Sequence, residues 1–137
     1  MIRILFIISL LISSEAAAES YHWKVKKVID GDTIQVEAPF LPKELKLSVR
    51  VLGIDTPEKG WRAGCKKEAA LGESATKLTT SLVVKSKDVS FDKIKWDKFG
   101  GRVLAEVTID GVNLGDNLIK AGLAREYRGE KKTSWCN

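Results

Sequence analysis

The chain is poor in the residues on which many active sites are built. Its 137 residues hold one histidine, His22, and only two cysteines. A single imidazole close to the start of the folded part argues against a Ser-His-Asp triad, a multi-histidine metal site and histidine-relay chemistry. Neither cysteine has a base nearby in the sequence to activate it as a nucleophile. No apolar run is long enough to hold the chain in a bilayer. The longest, from Ile4 to Ile12 and broken at Ser9, falls short of the roughly 20 residues that a permanent span requires. There is no internal repeat, low-complexity segment or linker. The length leaves room for one core, because a second would be too small to bury itself. Any catalysis must therefore rest on carboxylates, arginines or a metal.

Charge is what the chain has in quantity: 23 Lys and Arg against 18 Asp and Glu, a formal +5. A basic excess on so small a chain favours an anionic partner, such as nucleic acid or an acidic membrane surface. Arg3, the apolar run after it and the small residues Ala16, Ala17 and Ala18 form the three regions of a signal peptide. Residues 1–18 are expected to be removed after Ala18. Residues 19–137 would then form the exported domain, secreted or periplasmic, with no stable membrane association. In an oxidising compartment Cys65 and Cys136 are expected to pair. They lie 71 residues apart, and closing such a loop is worth roughly 4 kcal/mol on the chain-entropy view. The bond would also pin the C-terminal tail.

The apolar pattern begins with period two. Trp23, Val25, Val28 and Ile29 precede Asp30-Gly31-Asp32, and Ile34, Val36 and Ala38 follow it, which predicts a hairpin around a D-G turn. Pro39 and Pro42 end it. Leu45, Leu47, Val49 and Val51 then alternate with Lys46, Ser48 and Arg50, a third strand that closes at Gly53 and Asp55-Thr56-Pro57. From Lys66 the period changes. Leu71, Ala75, Leu78 and Leu82 mark a helix, with Glu73 and Lys77 outside the stripe. Two more strands are expected over Val89–Ile94 and Val103–Ile109, joined by a turn at Asp97 to Gly101. Asn113 is placed to cap a last helix, with Asp116 in its first turn and Leu114, Leu118, Ile119 and Leu123 on its apolar face. After Ala124 the tail reads as charged loop. Five short strands with one helix between them and one at the end predict a mainly β, α+β fold, a small closed or partly open barrel with helices packed on it.

Two turns carry unusual chemistry. Asp30-Gly31-Asp32-Thr33 and Asp55-Thr56-Pro57-Glu58 each set short carboxylates at strand ends, where oxygen ligands suit Ca²⁺ or Mg²⁺. Each alone is ordinary turn chemistry. Arg50, on the polar face of its strand, and Arg102, which opens a later strand after a glycine pair, alter that reading, because two forked guanidiniums can meet the same cleft.

The runs V-I-D-G-D-T at 28–33, R-V-L-G-I-D-T-P-E at 50–58, D-K-F-G-G-R-V-L-A at 97–105 and L-I-K-A-G-L-A at 118–124 resemble, in order, the staphylococcal (micrococcal) nuclease or thermonuclease family. The resemblance implies a five-stranded OB-fold barrel. It also implies a secreted, monomeric, Ca²⁺-dependent endonuclease that hydrolyses DNA and RNA at the P–O5′ bond and leaves 3′-phosphates. On the matching positions Asp32 and Asp55 would supply calcium carboxylates and Thr56 a backbone carbonyl. Glu58 would position or deprotonate the attacking water, and Arg50 and Arg102 would hold the phosphate. The chain departs from the pattern where Phe99 replaces a tyrosine, where Gly101 is an extra residue before Arg102, and where Tyr127 alone remains of a late tyrosine pair. A different class, a non-catalytic OB-fold nucleic-acid-binding module, would have lost acids that are all present here. A disulfide-stapled domain that binds an anionic polysaccharide or a membrane would rest on charge alone.

Overall fold

The computed structural model describes residues 19–137, so the signal peptide expected over residues 1–18 lies outside the described residues. The first hairpin joins β1 (Lys24–Asp30) to β2 (Thr33–Glu37), and β3 (Leu47–Val51) continues antiparallel on β2. Leu45 was expected in that third strand but lies 55% exposed in a turn, its N–H bonded to the Pro42 carbonyl. Proline fixes the backbone there before the strand can start. The two-residue β4 (Ile54–Asp55) follows, then α1 (Lys66–Lys85), β5 (Val89–Trp96) and β6 (Arg102–Ile109). β6 pairs antiparallel with β5 and parallel with β3, which gives the sheet order β1-β2-β3-β6-β5.

The sheet curls. Tyr21, just ahead of β1, exchanges two backbone hydrogen bonds with Phe91 of β5, at 3.0 and 2.8 Å, so the two outer strands meet at one end. Ile34, Val36, Val49, Phe91, Ala105 and Val107 fill the inside with no exposed surface. Alternate residues of β3 and β6 face out, as the period of two requires. The protein is thus mainly β with two helices, a curled half-barrel of OB-fold-like α+β type, as the sequence pattern predicts.

The first helix sits closer to the sheet than its leucines suggest. Its buried residues are Gly72, Ala75 and Thr79, while Leu71, Leu78 and Leu82 are only partly covered. Small side chains let the helix backbone approach the β1–β2 turn, and Thr79 Oγ1 donates to the Gly31 carbonyl at 2.8 Å. Gly31 does not take the left-handed conformation that a tight D-G hairpin demands. It is glycine for another reason: a Cβ there would lie 2.7 Å from the Ala75 methyl.

The chain ends with β7 (Val112–Asn113), α2 (Leu114–Lys120) and β8 (Arg125–Glu126). Asn113 Oδ1 accepts from the Asp116 N–H at 3.1 Å, the cap expected from the sequence. Leu114 and Leu118 are fully buried. Ile119, expected on the apolar face, is 36% exposed, because α2 is less than two turns long and stops before Gly122 turns the chain at φ +72°. The tail is not all loop: β8 pairs with β4, setting Arg125 opposite Asp55. Two-residue strands are too short to show a period in sequence. Cys65 and Cys136 are bonded, with Cα atoms 6.0 Å apart. Among the described residues no helix is long and apolar enough to cross a membrane.

One ion-pair cluster sets a pH expectation. Lys46 and Lys26 both reach Glu37 Oε1, at 3.0 and 3.2 Å, and hold its carboxyl down at about 2, against 4.5 for the free group. A depressed folded-state value contributes stability that is present above the unfolded value and lost as the pH falls. Glu37→Gln should therefore lower the melting temperature slightly at neutral pH and flatten its decline between pH 4.5 and about 2, where the variant and the wild type converge.

Candidate active site

Arg50 and Arg102 come from adjacent parallel strands whose register sets Ser48 opposite Arg102 and Arg50 opposite Leu104. Both therefore point to the outer face, two positions apart along the strands. They line one groove of about 600 Å³ together with Lys95, Lys98, Arg128 and Lys132, against Asp97 as its acidic lining residue. Gly101, at φ +86°, closes the turn that ends with the Asp97 N–H on the Arg102 carbonyl. The extra glycine is thus absorbed in the turn, and Arg102 opens β6. Its Nε is bonded to Asp97 Oδ2. Burial pushes the Asp97 carboxyl up, but Arg102 and the backbone N–H groups of Phe99 and Lys98 hold it below the ordinary carboxylate value.

Asp32 and Asp55 meet behind Arg50. The same guanidinium nitrogen, Nη2, lies 3.3 Å from Asp32 Oδ2 and 3.4 Å from Asp55 Oδ1. Asp32 lies in the β1–β2 turn and Asp55 ends β4, and they are 4% and 7% exposed. Asp32 also accepts from the Thr56 N–H at 3.2 Å and from Thr33 Oγ1 at 3.1 Å. Burial is the main force on its carboxyl and pushes it up to about 6, aided by Asp30 and opposed by Arg50 and the Thr56 N–H. Two carboxylates buried side by side, of oxygen chemistry only, suit a hard cation that would relieve this burial. Among the described residues no three acidic, imidazole or thiolate side chains converge. A cation at Asp32 and Asp55 would complete its shell with backbone carbonyls and water.

Glu58 stands apart from the groove lining. It is half-buried, and its loop is fixed through the backbone: the Glu58 N–H donates to Glu68 Oε1 at 3.2 Å, and the Gly64 N–H to Glu68 Oε2 at 2.7 Å. Against the other side of that loop lies Gly72 of α1. A Cβ on Gly72 would fall 2.6 Å from the Glu58 carbonyl carbon and 2.9 Å from the Lys59 nitrogen, backbone atoms that cannot swing away. Gly72→Ala should therefore displace the Glu58 loop. It should cost about 1–3 kcal/mol of stability by overpacking, with a loss of activity at temperatures where the variant is still folded. Full activity in a folded variant would free Glu58 from this support. Gly72 and Glu68 were not singled out in the sequence; the sign available there was the row of small residues Gly72, Ala75 and Thr79 at helical spacing.

The C-terminal tail completes the acid pair. Lys132 Nζ lies 2.9 Å from Asp55 Oδ1, and buried Trp135 presents Nε1 to Asp55 Oδ2 at 3.4 Å. Arg125 stacks over the Trp135 ring at 3.7 Å and donates to the Ser134 carbonyl. The adjoining disulfide fixes this strap to the start of α1.

A curled OB-like sheet thus carries a strongly basic groove beside two buried acids. The sequence model described as Staphylococcal nuclease homologue matches residues 48–135. The chain is similar to Endonuclease YncB of Bacillus subtilis, 41% identical over 114 residues that cover 81% of this chain and 51% of the relative. It is similar to the SPbeta prophage-derived endonuclease YokF of the same species, at 40% identity over 81% of this chain and 36% of the relative. An uncharacterized endonuclease of Escherichia coli is 32% identical over 77% of this chain and 61% of its own length. The chain thus spans about a third to three-fifths of these relatives. It belongs to the staphylococcal nuclease homologue family.

Proposed function

We propose that the protein is an exported, Ca²⁺-dependent nuclease that hydrolyses phosphodiester bonds of DNA and RNA at the P–O5′ bond, leaving 3′-phosphates. The observation that carries this reading is the groove in which Arg50 and Arg102 stand together, with Asp32 and Asp55 converging behind Arg50. The relatives' names supply the class of reaction. Export is supported by the signal-like pattern of residues 1–18 and by the disulfide.

In this reading Asp32, Asp55 and the Thr56 carbonyl hold the cation. When bound, Ca²⁺ supplies positive charge at the phosphate and orients water. Arg50 and Arg102 engage the scissile phosphate and favour the extra negative charge of the five-coordinate transition state. Asp97 keeps the Arg102 fork turned into the groove. Glu58 takes the proton of the attacking water or fixes its direction, a contribution of about 10² to 10⁴ in rate. The purified protein should degrade single-stranded DNA and RNA with Ca²⁺ and stop when the ion is chelated. Binding without cleavage under both conditions would leave a nucleic-acid-binding module.

A further inference from the structure

A second groove adjoins the first and shares only Lys95 with it. It holds about 590 Å³ and is lined by Tyr21, Trp23, Phe40 and Trp96, by Lys93 and Lys95, and by Glu19 as its acidic residue, to which the Tyr21 hydroxyl donates at 2.9 Å. Trp23 is buried at its base, stacked on Phe91 at 5.4 Å, with Tyr21 and Phe40 beside it at 5.3 and 5.9 Å. The outer rings are open: Phe40 is 65% exposed and Trp96 74%. Nothing in the core explains so large an aromatic surface, since Trp96 ends the edge strand β5 beyond the bulge between Asp92 and Lys95. Lys93, within that bulge, takes a left-handed φ of 51°. Such a bulge re-aims the side chains that follow it. Val103, opposite Trp96, lines this groove, while Leu104, opposite Lys95, lines the basic one. Lys95 borders both.

We propose that this aromatic groove is a binding subsite for unpaired bases of a single-stranded polynucleotide whose scissile phosphate lies at Arg50 and Arg102. The proposal rests on the nuclease reading above. Open rings interleaved with lysines match a single strand, whose base faces can stack while its phosphates meet cations. A duplex has its base faces covered and gains nothing from Phe40 or Trp96. Continuity through Lys95 favours a polynucleotide over an unrelated apolar partner, because the same chain would pass from one groove to the other. Stacking is tolerant of base identity, so the subsite adds affinity for longer strands with little sequence preference.

The test compares a single-stranded 12-mer with a dinucleotide on the wild type, on Phe40→Ala/Trp96→Ala and on Trp96→Phe. Cleavage kinetics are measured with Ca²⁺, and 12-mer binding by fluorescence anisotropy in chelator. The double alanine variant should raise KM and Kd for the 12-mer about 5- to 20-fold. Its kinetics on the dinucleotide and its melting temperature should stay unchanged, and Trp96→Phe should keep most of the affinity. An unchanged Kd for the 12-mer would overturn the proposal, as would an equal loss on both substrates. If the wild type cleaves neither substrate, the nuclease reading fails, and the anisotropy measurement still decides whether the groove binds the strand.

Discussion

Arg50→Lys is expected to lower kcat on nucleic acid about 10²- to 10³-fold, the usual cost of losing one aimed donor to transition-state charge, while the melting temperature moves by a few degrees. Lysine keeps a positive charge near Asp32 and Asp55, so the buried acids are not left unpaired. It loses the planar fork, however, and cannot face two carboxylates and a phosphate together. Arg50→Ala would confuse the result, because both acids would then lack the Nη2 contact they share. Arg102→Lys should fall by a similar factor, since a single ammonium cannot serve both Asp97 and a phosphate. Parallel kinetics and thermal melts on the two variants check this. Near-normal turnover in either would reduce that arginine to a structural or surface charge.

Reducing the Cys65–Cys136 bond, or replacing Cys136 by serine, should have the second large effect. The closed loop spans 71 residues, so up to roughly 4 kcal/mol of stability is at stake, about 10 °C or more in melting temperature for a domain of this size. Activity should suffer separately. The bond fixes a strap whose Trp135 and Lys132 both touch Asp55 and whose Arg128 and Lys132 line the basic groove. Release of the strap should raise KM, and more steeply at moderate salt than at low salt, because phosphate contacts are lost. A reduced protein that melts lower but keeps its KM at every salt concentration would confine the bond to a stabilising role.

The strands with a clear period of two, the capped second helix and the cysteine pair were legible because each is a local pattern or a forced pairing. The five side chains Asp32, Arg50, Asp55, Glu58 and Arg102 stand out in the sequence as candidates for a site, since turns holding paired acids and strands holding lone arginines differ from packing residues. Their arrangement was less so. Asp32 and Asp55 are 23 positions apart, and only the sheet register and the turn at Gly53 bring them to the same guanidinium. Trp135 reads in sequence as a tail aromatic, yet it is buried against Asp55, a contact between residues 80 positions apart.

By itself the sequence determined the secondary-structure periods, the basic character and the identities of the acids and arginines, because side-chain alternation and charge are written residue by residue. Only the tertiary structure decided that Gly31 and Gly72 are points of close contact with no room for a Cβ, that the tail straps Asp55, and that Tyr21, Phe40 and Trp96 share one groove. Those facts depend on how closely backbones approach and on which distant strands become neighbours, and neither quantity has a period along the chain.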